Sequence, residues 1–71
     1  MYLRRIRDLR EDNDLTQKEL AHHLNISQQY YSNIENGTRT ISAEILLSIA
    51  LFYKVSVDYL LELTDNKDIN R

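Results

Sequence analysis

The chain contains no cysteine, no proline and no tryptophan, and Gly37 is its single glycine. Without cysteine, neither a disulfide framework nor a thiolate metal site can support the fold, and such a composition suits a reducing compartment. Without proline and with one glycine, a turn-rich β architecture is excluded, because tight turns call on both residues. No run of eighteen apolar residues occurs, so the sequence holds no membrane-span signal. The opening MYLRRIRDLR is charged with a helical period and lacks the apolar stretch of a secretory signal. A soluble, cytoplasmic, all-α protein is expected.

Positive charge is also scarce: nine basic side chains face eleven acidic ones, for a net charge of −2. The distribution is uneven. Residues 1–40 carry six of each sign, whereas 41–71 carry three basic and five acidic residues. Charges act over only about 8 Å at physiological salt, so local balance matters more than the total. The length allows one domain, which folds by removing roughly 60% of its extended-chain surface from water. The expected division is a domain over residues 1–65 and a short polar tail over 66–71.

What the sequence does have is a repeated helix-start signal. Thr16, Ser27, Ser42 and Ser56 are each preceded by an apolar residue (Leu15, Ile26, Ile41, Val55). Each is followed four positions later by another (Leu20, Tyr31, Leu46, Leu60). A hydroxyl at the cap accepts an orphan backbone N–H while the apolar pair staples the entering chain. Glu19, three residues after Thr16, completes a capping box. Gly37 and Asn25 supply left-handed stops. With an opening helix, five are predicted, over 2–13, 17–24, 28–36, 43–53 and 57–63. Three- and four-residue spacing turns Ile6, Leu9, Leu20, Ala21, Leu24, Tyr31, Ile34, Leu46, Ile49, Ala50, Tyr53, Val57, Leu60 and Leu63 inward.

Only Asn25, Ile26 and Ser27 separate the second and third helices. Helices joined so tightly cannot lie antiparallel, and a steep crossing is the helix-turn-helix arrangement. The outward positions of the third helix are Gln28, Gln29, Ser32, Asn33 and Asn36, where an ordinary surface helix carries Lys and Glu. An amide can pair bidentately with adenine N6 and N7 in the major groove, each such pair discriminating by about 1–3 kcal/mol. Base readout is therefore the reading preferred over a merely polar face.

The segment LTQKELAHHLNISQQYYSNIENG resembles the helix-turn-helix of the lambda-repressor-like (Cro/repressor, XRE) family, and IRDLRED and SAEILLSIALFYKVSVDYLL extend the likeness over nearly the whole chain. The resemblance implies a compact five-helix domain that binds double-stranded DNA as a transcriptional regulator, a repressor working as a homodimer on a two-fold symmetric operator. It places Gln28, Gln29 and Asn33, with Ser32, at base-reading positions. Gln17 falls where the family grips a phosphate and braces the recognition helix. Asn36 to Thr38 would offer backbone N–H groups to a phosphate, with Arg39 beside them. Apart from the resemblance, Tyr30 reads equally as a phosphate donor or as a partly packed ring. Arg10 and Glu35 match a buried ion pair. Departures include Ile41 in place of a frequent proline, Asn25 and Lys54 in place of glycines, and Tyr31, whose hydroxyl must then find water or a partner.

Tyr59, Leu61 and Leu63 exceed what so small a core needs and are the candidate dimer contacts. Arg4, Arg5, Arg7 and Arg10 read as a solvated helix face from which Arg4 or Arg5 reaches toward DNA. His22 and His23 point to different sides of one helix and lack a third ligand, so no metal is expected. No cofactor-binding motif and no nucleophile–base set stands out, so neither cofactor nor catalysis is expected. The rival class is a protein-interaction module or antitoxin on the same fold, whose acidic Asp58, Glu62, Asp65 and Asp68 would suit a basic partner.

Overall fold

The computed structural model describes residues 2–68. Its helices are α1 (Arg4–Asp12), α2 (Gln17–Leu24), α3 (Gln28–Glu35), α4 (Ala43–Tyr53) and α5 (Val57–Leu60). No helix among the described residues is long and apolar enough to cross a membrane.

Four helices open as their hydroxyl caps predict. Thr16, Ser27, Ser42 and Ser56 accept the N–H groups of Glu19, Tyr30, Ile45 and Tyr59 at 3.0, 3.1, 3.2 and 3.0 Å. The Glu19 carboxylate answers by accepting the Thr16 N–H at 3.0 Å. These bonds, first from the Thr16 backbone and then from its side chain, hold the Glu19 carboxyl below the ordinary carboxylate range. The remaining helix, α1, has no side-chain cap and begins instead behind Leu3, which is buried.

The helix ends share a second device, announced in the sequence at Gly37, Asn25 and Lys54 but not at Asp14 or Glu62. A left-handed residue follows each helix: Asp14, Asn25, Gly37, Lys54 and Glu62, with φ between 55° and 84°. The next residue then donates its N–H back into the last turn: Leu15 to Arg10, Ile26 to Ala21, Thr38 to Asn33, Val55 to Ala50 and Leu63 to Asp58, at 2.9–3.0 Å. This is the Schellman closure, which satisfies carbonyls that a helix end leaves orphaned. In three corners the left-handed residue, an apolar residue and the next cap are consecutive: Asp14-Leu15-Thr16, Asn25-Ile26-Ser27 and Lys54-Val55-Ser56. The middle side chain thus closes one helix and staples the next.

The core comprises Leu3, Ile6, Leu9, Leu20, Ala21, Tyr31, Ile34, Ile49, Ala50, Val55 and Leu60. Leu24, Leu46, Tyr53 and Val57 pack against it half-buried. Leu3 was not among the residues expected inward, although it stands three residues before Ile6 on the same helical face. Leu63, expected inward, is 73% exposed. The cause is the early end of α5: Glu62 turns left-handed, so Leu63 leaves the helical face.

After α5 the chain folds back over the start of α1. The Arg5 guanidinium donates to the carbonyls of Tyr59 and Thr64 at 2.8 and 2.6 Å and to Asp65 Oδ1 at 2.7 Å. It also lies 4.2 Å from the Tyr59 ring centroid. Arg4 pairs with Glu62 at 2.7 Å. Ser56 N–H donates to the Lys67 carbonyl at 2.9 Å, so the folded unit reaches at least to Lys67. Of the expected polar tail, residues 69–71 lie outside the described residues. Arg4 and Arg5, expected to face solvent or DNA, are instead engaged in this closure.

The left-handed Lys54 stores strain that a glycine would release. Lys54→Gly is expected to stabilise the fold by about 1 kcal/mol, raising the thermal midpoint by roughly 4–8 °C for a domain of this size. Calorimetry checks this, and an unchanged midpoint would show that the lysine is not strained.

Candidate nucleic-acid interface

The three-residue corner at Asn25 sets α3 against α2, with Ala21 and Leu20 buried beneath. α3 then divides cleanly. Tyr31, Ile34 and Glu35 are buried, whereas Gln28, Gln29 and Asn36 are exposed and Ser32 and Asn33 half-exposed. The five outward residues predicted from sequence therefore share the accessible side of one helix. Gln29 Nε2 donates to Asn33 Oδ1 at 3.1 Å. That bond orients both amides while leaving the Gln29 oxygen and the Asn33 NH2 group available outward.

The anchor of α3 is the Glu35 carboxylate, only 4% exposed. Arg10 of α1 grips it with two bonds, Nε to Oε2 at 2.9 Å and Nη2 to Oε1 at 2.8 Å. The third arm of the guanidinium donates to the Leu15 carbonyl at 2.8 Å, tying the first corner to the same point. Gln17, the first residue of α2, donates to Oε1 at 3.2 Å. The predicted ion pair is present, and Gln17 has the predicted bracing geometry.

Burial pushes the Glu35 carboxyl up, but the donors from Arg10, the nearby Tyr31 hydroxyl and Gln17 outweigh it and hold it below the ordinary value. The Arg10 guanidinium is raised, chiefly by its hydrogen bonds to Glu35. Tyr31 was expected to find water or a partner for its hydroxyl. That hydroxyl lies beside Glu35, sealed from solvent, without closing a hydrogen bond of good geometry. Burial, then Glu35, drives its pKa strongly up. The Tyr53 hydroxyl is likewise enclosed and unpaired, and burial pushes it up to about 12.

The loop after α3 departs from expectation. The backbone N–H groups of Asn36, Gly37 and Thr38 were expected to face a phosphate. They are consumed internally, by Ser32 O at 3.0 Å, Ile34 O at 3.2 Å and Asn33 O at 2.9 Å. Closing the helix takes precedence, since orphan carbonyls there have no other donor. What the loop presents is side chains. Asn36 Oδ1 accepts from the Thr38 hydroxyl at 2.8 Å, leaving the Asn36 NH2 group outward. Arg39 lies 5.2 Å from the Tyr30 ring centroid, so these two predicted residues form one unit.

An open depression of about 350 Å³ is lined by Gln17, Ser32 and Asn36, with Tyr2 and Arg7 of the α1 end and the Arg10–Glu35 pair also contributing. Tyr2 and Arg7 were not singled out as contacts; nothing in their local sequence separates them from a solvated face. Four of the six cations in residues 1–40 are paired with carboxylates: Arg4, Arg5, Arg7 (to Glu11, 3.5 Å) and Arg10. Of these six, Lys18 and Arg39 are left without such a partner among the described residues.

The three candidate dimer contacts are treated unequally. Tyr59 is half-buried under Arg5, Leu61 is half-buried against the core, and Leu63 stands alone in solvent. More apolar surface is exposed on α4, at Leu47 (53%) and Leu51 (62%).

Comparison with known proteins agrees with this geometry. A family profile described as "Helix-turn-helix" matches residues 6–60. The chain is 38% identical over 68 residues to the uncharacterized HTH-type transcriptional regulator YobD of Bacillus subtilis (strain 168), covering 96% of this chain and 61% of that protein. It is 40% identical over 58 residues to the HTH-type transcriptional regulator ImmR of the same organism, covering 82% and 46% respectively. Among solved structures, one described as a SinR protein/SinI protein complex superposes with a TM-score of 0.78 at 28% identity, over 87% of this chain and 61% of that one. The chain thus spans about half to three fifths of the length of these curated relatives.

Arg10→Met would leave the Glu35 charge buried and alone, and is expected to cost about 3–5 kcal/mol in urea unfolding. The paired change Arg10→Met/Glu35→Leu should recover most of that loss, because no charge is then stranded. Glu35's lowered pKa means that its contribution is complete above the ordinary carboxylate value of 4.5 and is lost as pH falls through its own. Glu35→Gln should therefore flatten the acid side of the stability profile. An Arg10→Met variant as stable as wild type would show that the pair does not anchor α3.

Proposed function

The chain belongs to the lambda-repressor-like helix-turn-helix family, and from that premise we propose that it is a sequence-specific transcriptional repressor, working in the cytoplasm, whose α3 lies in the major groove of double-stranded DNA. The observation that carries this reading is the outward face of α3, five uncharged hydrogen-bonding side chains on a helix anchored from behind by a buried carboxylate.

Gln28 and Gln29 occupy the first turn, the part of a recognition helix that meets base edges. Their amides suit adenine, with Asn33 and Ser32 reading further along the groove. Gln17, Tyr30, Asn36, Thr38 and Arg39 flank that face and take the phosphates, where contacts position the protein without reading sequence. Lys18 joins them as an unpaired cation beside Gln17. Specificity then comes from two copies on a two-fold operator, their recognition helices about 34 Å apart. Repression follows from covering a promoter.

A second reading, a protein-interaction module or antitoxin, is favoured by one observation: the solved relative SinR is described in complex with another protein. Against it, Glu62 and Asp65 of the acidic segment are already paired with Arg4 and Arg5.

Selection of bound sequences from a random DNA library tests the proposal, with wild type run beside Gln28→Ala/Gln29→Ala. Wild type is expected to enrich a two-fold motif whose adenine preference disappears in the variant. If wild type enriches nothing at low salt, the interaction module is the correct reading.

Salt dependence provides a separate check. The two unpaired cations of residues 1–40 in each subunit, Lys18 and Arg39, predict a log–log slope of about −4 for a dimer. A slope near −10 would show that the paired arginines leave their carboxylates for phosphate.

A further inference from the structure

We propose that two copies of this chain associate through α4, packed antiparallel against its own two-fold mate along a seam formed by Glu44, Leu47, Ser48, Leu51 and Lys54. This rests on the two-fold reading above and names the surface that creates it, which is not the α5 segment expected from sequence.

The first observation is exposure. Leu47 and Leu51, one turn apart on α4, are 53% and 62% exposed. They flank an apolar depression of about 230 Å³ whose floor includes Ala50 and Val55. Knob and hole therefore lie side by side on one face, the arrangement that an isologous interface needs because each partner supplies the same patch.

The second observation is spacing. Glu44, Leu47 and Leu51 recur along α4 at intervals of three and four, the alternation of a short helix–helix seam, and Lys54, the left-handed residue that caps the helix, follows three positions later. Leu47 and Leu51 are equidistant from the level of Ile49, and so are Glu44 and Lys54. A two-fold axis at that level, perpendicular to α4, sets Leu47 against the mate's Leu51 and Glu44 against the mate's Lys54. Both ends of the seam then carry opposite charges, so the charge pattern is complementary to itself in the antiparallel sense. A parallel pairing would set Glu44 against Glu44 and Lys54 against Lys54. Neither residue has an ion-pair partner among the described residues, and both are exposed.

The third observation concerns the polar group near the centre. Ser48 is small and lets the helices approach closely. Its hydroxyl already donates to the Glu44 carbonyl at 2.9 Å, so covering it strands no donor. The seam lies on a different helix from the base-reading residues, which stay exposed. One short seam is small beside a standard interface of about 1,600 Å², so association is of micromolar strength, and a shared operator consolidates it.

The test is sedimentation equilibrium of the whole chain without DNA, so that it does not depend on DNA binding. Wild type is expected to dimerise, and Leu51→Glu to weaken dimerisation by at least about tenfold with an unchanged thermal midpoint. Glu44→Lys should weaken association, and Glu44→Lys/Lys54→Glu should restore it, which a merely structural role of either residue would not produce. A wild type that stays monomeric to millimolar concentration overturns the proposal. So does a dimer that survives Leu51→Glu, or a double reversal that rescues nothing. On selected DNA, Leu51→Glu should retain half-site binding while losing cooperative occupation of the full site; loss of both separates a failure of the DNA reading from a failure of the seam.

Discussion

The Glu35 carboxylate receives hydrogen bonds from α1 through Arg10 and from α2 through Gln17, while Arg10 also holds the corner carbonyl of Leu15. Three helices and one turn thus converge on a single buried charge. Such a charge is costly to desolvate, so its value lies less in net stability than in permitting one arrangement. Any rotation of α3 that withdraws Glu35 from Arg10 strands both ions. The outward amides are positioned by the same constraint, because residue 35 sets the azimuth of residues 28, 29 and 33 on a rigid helix.

The corners show how a chain with one glycine makes five tight helix ends. Asp14, Asn25, Lys54 and Glu62 all adopt the left-handed conformation usually left to glycine. An apolar residue follows each, and in three of the four it is covered, half-buried at Leu15 and Ile26 and buried at Val55, whereas Leu63 is exposed. Covering that side chain offsets the strain of the residue before it. Local geometry is here overridden by packing at Lys54, which local preference disfavours, whereas Asn25 and Asp14 are residue types that tolerate the left-handed region.

Charge is arranged with similar economy. Arg4 and Arg5 close the C-terminal segment over α1, Arg7 pairs along its own helix, and Arg10 is committed to Glu35. An arginine-rich first helix therefore contributes little free positive charge. The face around α3 is left to amides, a hydroxyl, Lys18 and the Arg39–Tyr30 unit. Recognition on such a surface leans on hydrogen-bond geometry rather than on electrostatic attraction, so the rigidity of the amide-bearing helix matters more.

The sequence by itself determined the number of helices, the four hydroxyl caps, most of the core and the outward face of α3. Each of these is written in short-range pattern: a cap three residues from its donor, or apolar side chains repeating with the helical period. It also carried the Arg10–Glu35 pair, though only through resemblance, since no local rule links residues so far apart. Tertiary structure alone decided the rest. Leu63 is exposed because Glu62 turns the chain away one turn early. Arg4 and Arg5 are engaged by the segment after α5 because it returns across α1, and Leu47 and Leu51 remain exposed because none of the described residues covers them. These outcomes depend on which surfaces meet across the fold, a property of the packed whole that no window of neighbouring residues contains.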